Sequence, residues 1–102
     1  NLKNMASFLV QTLSNNSETA LTNMKVTYRS LSFCNTDTSD VTLDLYVKDS
    51  SATITYFLKG VSIPPGISLK LKNDEFMFDP QNFTLYAKSN NASGKIDIIK
   101  RY

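Results

Sequence analysis

The chain has 102 residues, 41% of them hydrophobic and 20% charged, with a formal net charge of +2. That is the length of a single domain, 1–102, with enough apolar content for one core and no polar tract long enough for a disordered tail. The basic excess is too small for a polyanion-binding surface, and no apolar run approaches the roughly 20 residues that span a bilayer, so neither nucleic acid nor a membrane is an expected partner.

Period-two alternation then dominates the chain. An N-terminal strand is predicted over "ASFLVQTL", whose apolar core is too short for a signal peptide. "MKVTYRSLSF" carries Val26 and Tyr28 in one phase and Leu31 and Phe33 in the other, which predicts a β-bulge near Arg29 or Ser30. Cys34 closes that apolar stretch and is expected to pack as a small, buried, unreactive hydrophobe; a lone cysteine also excludes an intrachain disulfide. "VTLDLYVK" sends Val41, Leu43, Leu45 and Val47 inward and Tyr46 outward. "TITYFL" aligns Ile54, Tyr56 and Leu58, so Tyr28 and Tyr56 are both expected in the core. "ISLKLK" adds Ile67, Leu69 and Leu71 to the inward set, "FTLYAK" adds Phe83 and Leu85, and "KIDIIKRY" adds Ile96 and Ile98. Lys95, Lys100 and Arg101, interrupted by Asp97, read as solvating charge on an exposed strand.

Turn-rich segments separate these runs, and no segment carries a helical stripe of useful length. Seven to eight short strands at this spacing predict an all-β fold, an antiparallel sandwich of jelly-roll or immunoglobulin-like type. Two of the three prolines and two of the three glycines fall within "KGVSIPPGISLKL". Pro64 and Pro65 lack backbone donors and end a strand near Ile63, while Gly66 lets the chain re-enter at Ile67. This stretch reads as edge strand, tight corner and core strand, where the chain passes from one sheet to the other. Gly60 marks a second bend.

No histidine is present, which removes histidine-based nucleophilic sites and most zinc and non-haem iron sites. Three scattered glycines supply no phosphate-cradling loop. Asp74 and Glu75 are adjacent and read as loop surface charge rather than a catalytic pair. "NTDTSD" offers Asn35, Asp37, Ser39 and Asp40 as oxygen ligands for a hard cation. It lacks the glycine and distal glutamate of a helix-loop-helix calcium site, and the same residue types build self-bonded turns. Three Asn-x-Ser/Thr sequons occur where about two are expected by chance, so they carry no glycosylation signal. The expectation is a protein without catalytic residues, metal or cofactor. Tyr46 and Tyr86 fall on the polar phase and are expected in a protein interface. Asp37, Asp40, Asp74, Glu75, Arg101 and Tyr102, in the loops and at the terminus, are the other candidate contact residues.

The order of these features resembles a known group of proteins. "QTLS" is followed by "YRSLSFCNT", "VTLDLYV", "YFL", "IPPGISLKL" and a closing "KIDII". This is similar to the small β-sandwich virion proteins of tailed bacteriophages, marine and cyanobacterial phages included, over nearly the whole chain and without a diagnostic motif. The resemblance implies a capsid decoration (cement) protein, or a neck or tail component. It further implies homo-oligomers, often trimers, that bind the major capsid protein or other virion proteins on the outer surface of a particle assembled in the host cytoplasm. A β-sandwich module that binds a receptor or carbohydrate, for example in a tail or neck fibre, is the alternative.

Overall fold

The computed structural model describes residues 8–13, 16–21, 28–90 and 95–102. Eight strands appear in chain order: β1 (Phe8–Leu13), β2 (Thr19–Ala20), β3 (Ser30–Asn35), β4 (Val41–Lys48), β5 (Ile54–Ile63), β6 (Ser68–Lys72), β7 (Thr84–Ser89) and β8 (Ile96–Arg101). A short 3-10 turn, Asn73–Glu75, lies between β6 and β7. The strands form two four-stranded antiparallel sheets, ordered β1-β8-β3-β6 and β2-β7-β4-β5.

Four of the pairings join strands whose positions mirror each other in the chain: β1 with β8, β2 with β7, β3 with β6 and β4 with β5. The chain thus behaves as one long antiparallel ribbon folded at the β4–β5 turn. Rolling that ribbon brings β3 beside β8 and β4 beside β7. This is the jelly-roll order, which decides between the two sandwich types expected.

The core follows the alternation. Leu31, Phe33, Ile96 and Ile98 point inward from one sheet, and Val41, Leu43, Leu45, Leu85 and Ala87 from the other, all fully buried. Leu69 and Phe83 are half-buried and pack against this cluster, and Tyr28 joins it. Ile67 does not: it sits in the turn before β6 and is 52% exposed. β6 is also an edge strand of its sheet, not the central strand expected, although the proline corner does carry the chain between sheets.

That corner is a tight turn. The Ile67 amide donates to the Pro64 carbonyl (3.2 Å), and Gly66 takes a φ of +76° with open space where a Cβ would project. Proline at the second position and glycine at the third is the type II pattern, so the backbone angle rather than crowding requires glycine. Asn35, completely buried at the end of β3, holds the corner in place. Its Nδ2 donates to the carbonyls of Ile63 and Ser39, both at 2.8 Å, and its Oδ1 accepts from the Asp37 amide at 2.8 Å. Its main chain adds two bonds, accepting from Gly66 (2.8 Å) and donating to Ile67 (3.0 Å). The amide that the turn composition offered as a possible oxygen ligand is a structural clamp.

Other expectations change for physical reasons. β3 runs without a register shift from Ser30; Tyr28 and Leu31 are both buried, so the change of phase precedes the strand. Val26, the other residue of that phase, lies outside the described residues. The bulge falls in β5 instead. Between the pairs Leu43–Val61 and Tyr46–Tyr56, β5 spends five steps against three on β4. Gly60, at φ +63°, lies in this stretch and donates its amide to Asp44 Oδ1 at 2.7 Å. Cys34 is half-buried rather than buried, because Leu31, Phe33 and Asn35 take the inward phase and leave it on the outer face opposite Ser68 and Asp97.

Lys100 also departs from expectation. It lies in the inward phase of β8 and is 8% exposed. Its Nζ donates to Gln11 Oε1 (2.6 Å) and to the Leu21 carbonyl (3.3 Å), and burial pushes its pKa down.

Replacing Asn35 with alanine leaves the buried Ile63 carbonyl without its side-chain donor and the β3–β4 loop without its anchor. Stability is expected to fall by about 3 kcal/mol. Urea denaturation checks this through a lower midpoint at an unchanged slope.

Candidate functional site

The eight candidate contact residues fall in three separate places. Asp37 and Asp40 lie in the β3–β4 loop, at the end of the sandwich that holds the proline corner. Asp37 Oδ1 accepts from the Thr38 amide (2.8 Å), so this loop is the self-bonded turn its composition suggested. Asp74 and Glu75 lie at the opposite end in the 3-10 turn, where Glu75 Oε1 accepts the Lys72 amide at 2.7 Å as a cap. Arg101 and the 41% exposed Tyr102 close the chain at that same end, where Ser30 pairs with both Lys72 and Arg101. Tyr46 and Tyr86 lie elsewhere, on the outer face of the β2-β7-β4-β5 sheet. The described residues contain no group of three or more histidine, cysteine, aspartate or glutamate side chains placed to share a metal ion.

The tyrosine pair belongs to a larger arrangement. Tyr46 is directly opposite Tyr86 on β7 and Tyr56 on β5, so three rings cross the sheet in one row. The Tyr46 and Tyr86 rings stack at 5.8 Å between centroids, and Tyr46 and Tyr56 meet tilted at 5.2 Å. Both geometries suit the ring quadrupole. Tyr46 points outward as its phase requires, yet it is only 3% exposed, so its expected surface position is corrected. Its neighbours cover it, and its hydroxyl donates to Glu18 from the segment before β2.

Tyr56 is corrected in the opposite sense. The β5 bulge separates Leu58, which packs toward the core opposite Leu45, from Tyr56, which stands opposite the outward Tyr46. Ile54 and Tyr56 therefore share the outer face, 42% and 40% exposed.

Charges frame the row. Lys48 Nζ is 2.7 Å from Glu18 Oε2 and 4.8 Å from the Tyr86 ring centroid. Lys59 Nζ lies 4.4 Å from the Tyr56 centroid, and Asp44 stands opposite Lys88 in the β4–β7 register. Cations over tyrosine faces are attracted by the ring quadrupole. The Lys48 hydrogen bond, then the Tyr46 hydroxyl, hold the Glu18 carboxyl below its ordinary 4.5, while burial and the Glu18 bond push the Tyr46 phenol up. At neutral pH the unit is a charged carboxylate, a charged ammonium and a neutral phenol.

The face offers preset aromatic and apolar surface rimmed by lysines. Sequence reasoning found Tyr46 and Tyr86 but missed Tyr56, Ile54, Lys48, Lys59 and Glu18. Gly60 was the available signal, since a glycine inside a strand marks an irregularity across which alternation cannot be carried from Ile63 and Val61 to Tyr56.

Tyr46→Phe is expected to lower stability by about 1–2 kcal/mol at neutral pH through loss of a bond to a charged acceptor. Because the Glu18 carboxyl is depressed in the folded state, its contribution is complete above 4.5 and fades as pH falls through the lower folded value. The gap between wild type and Tyr46→Phe in denaturant melts should narrow over that acidic range. Comparison of the chain with protein-family models, curated proteins and solved structures gave no match.

Proposed function

We propose that this chain is a non-enzymatic structural component of a tailed-phage virion, a capsid decoration protein that joins neighbouring shell subunits. The observation that carries this reading is the tyrosine row. Tyr46, buried beneath Glu18 and against both flanking rings, holds those rings in position before any partner arrives. A prearranged aromatic surface loses little side-chain entropy on contact, and aromatic residues are enriched in protein interfaces. Tyr56 and Ile54 supply the exposed apolar centre, with Lys48 and Lys59 at its margin. The whole-chain resemblance to phage β-sandwich proteins supports the choice of partner. Jelly rolls also serve widely as viral capsid and lectin domains, although a fold alone does not fix a function.

A domain this small buries only a modest area in each contact. Homo-oligomers, trimers among them, placed at symmetry-related junctions of the shell would convert such contacts into durable clamping through effective concentration. Loops 35–40 and 73–82 flank the outer faces and are secondary contact surfaces.

Purified protein should cosediment with expanded capsids that lack it and raise their disruption temperature. Tyr56→Ala should weaken retention on the capsid by about tenfold or more if Tyr56 is a hot spot. Failure to bind any virion component, with binding instead to a cell surface, would replace this reading with a receptor-binding module.

A further inference from the structure

The β4–β5 turn and the loop entering β7 stand side by side, just beyond the Lys48 end of the tyrosine row. Between them lies a cleft of about 340 Å³, with Asp49 and Ala52 on one side, Gln81 and Asn82 on the other, and Lys48 and Tyr86 toward the sheet. That volume is at the small end for ligand sites. With about 30 Å³ of liquid per water, it amounts to on the order of ten waters, the space of a sugar ring rather than of a polymer segment.

Both walls are fixed by their own hydrogen bonds. Asp49 Oδ1 accepts the Ser51 (2.9 Å) and Thr53 (3.0 Å) amides, and the Ala52 amide donates to the Asp49 carbonyl at 3.0 Å. Opposite, Asp79 accepts the Gln81 amide through Oδ1 (3.0 Å) and Asn82 Nδ2 through Oδ2 (2.5 Å), while the Phe83 amide donates to the Asp79 carbonyl (3.0 Å). These bonds use one oxygen of Asp49 and the nitrogen of the Asn82 amide. They do not use Asp49 Oδ2, Asn82 Oδ1 or the Gln81 side-chain amide.

A second observation concerns Ala52. It holds a φ of +64°, the one non-glycine in the left-handed region among the described residues. An alanine there is strained by roughly 1–2 kcal/mol where a glycine would not be. Strain of this kind is a pointer to function, and here it keeps a methyl group at the wall of the cleft.

We propose that this cleft binds a single neutral pyranose unit of a carbohydrate. Paired amide and carboxylate groups match the adjacent hydroxyls of a sugar, which both donate and accept. The Ala52 methyl and the Tyr86 ring give apolar surface for its C–H groups. The Lys48 charge is already met by Glu18, so the cleft carries no unmatched cation that would call for a phosphate or a sulfate. The cleft shares Lys48 and Tyr86 with the edge of the proposed virion contact, but its polar groups, Asp49, Gln81 and Asn82, lie outside that contact and the proposal does not rest on it.

The test is an amide-resolved NMR titration of the whole chain with methyl glucoside, methyl galactoside, methyl mannoside and N-acetylglucosamine, each to tens of millimolar, the range suited to weak sites. Saturable shifts in 49–53 and 80–84 are expected with at least one of these sugars. Gln81→Trp, a change at an exposed position that fills the cleft, should abolish them while the remaining spectrum shows the fold intact. Absence of saturable shifts with all four sugars, shifts confined to other segments, or shifts that survive in Gln81→Trp would each overturn the proposal.

Discussion

One buried amide, the side chain of Asn35, ties together two of the places where the chain changes sheets at one end of the sandwich. The β3–β4 loop leaves one sheet and the proline corner after β5 returns to it. Neither crossing can satisfy its backbone groups in a ladder, and buried groups left unpaired are costly. Asn35 supplies partners to both. Its side chain bonds Asp37 and Ser39 on the first crossing and Ile63 on the second, and its main chain bonds Gly66 and Ile67. A hydrophobic residue of similar size would fill the space and keep the main-chain bonds to Gly66 and Ile67, but would leave the Ser39 and Ile63 carbonyls and the Asp37 amide without their side-chain partner.

The surface chemistry follows from that anchor. Fixing Ile63 opposite Val41 sets one end of the β4–β5 ladder, and the Asp49 turn sets the other. β5 is longer than the stretch of β4 between these points by two residues, so the surplus appears as two register shifts, one beside Gly60 between Val61 and Leu58 and one at Phe57 between Leu58 and Tyr56. The second shift leaves Tyr56 and Ile54 outward beside Tyr46. The tyrosine row is thus a consequence of register, held at one end of the sandwich and displayed on its face.

Much of the fold was legible in the sequence because a half-buried strand states its own inward face. Val41, Leu43, Leu45 and Val47 alternate without interruption and are all buried, and Pro64-Pro65-Gly66 marks the crossing between sheets. Alternation fails where a strand is irregular or where an outward residue is covered by its neighbours. Alternation places Tyr56 in the core because periodicity does not register the extra residues of a bulge. Tyr46 was assigned to the surface because its phase is outward, while its cover comes from Glu18, Tyr86 and Tyr56, distant in the chain. Lys100 and Asn35 are polar residues on inward phases, legible only once the Gln11 and Leu21 partners of the one and the Ile63 partner of the other are known. The candidate acidic residues read from the sequence as loop charges, and Asp37 and Glu75 stabilise the turns that carry them.

The Asn35 clamp is expected to open only when the whole sandwich unfolds. Native-state hydrogen exchange of the Asp37 and Gly66 amides, both bonded to Asn35, measures this directly. Protection equal to that of the Phe33 amide in β3 is expected, despite the position of both residues in surface crossings. Exchange of Asp37 and Gly66 at rates typical of an exposed turn, with Phe33 still protected, would contradict it.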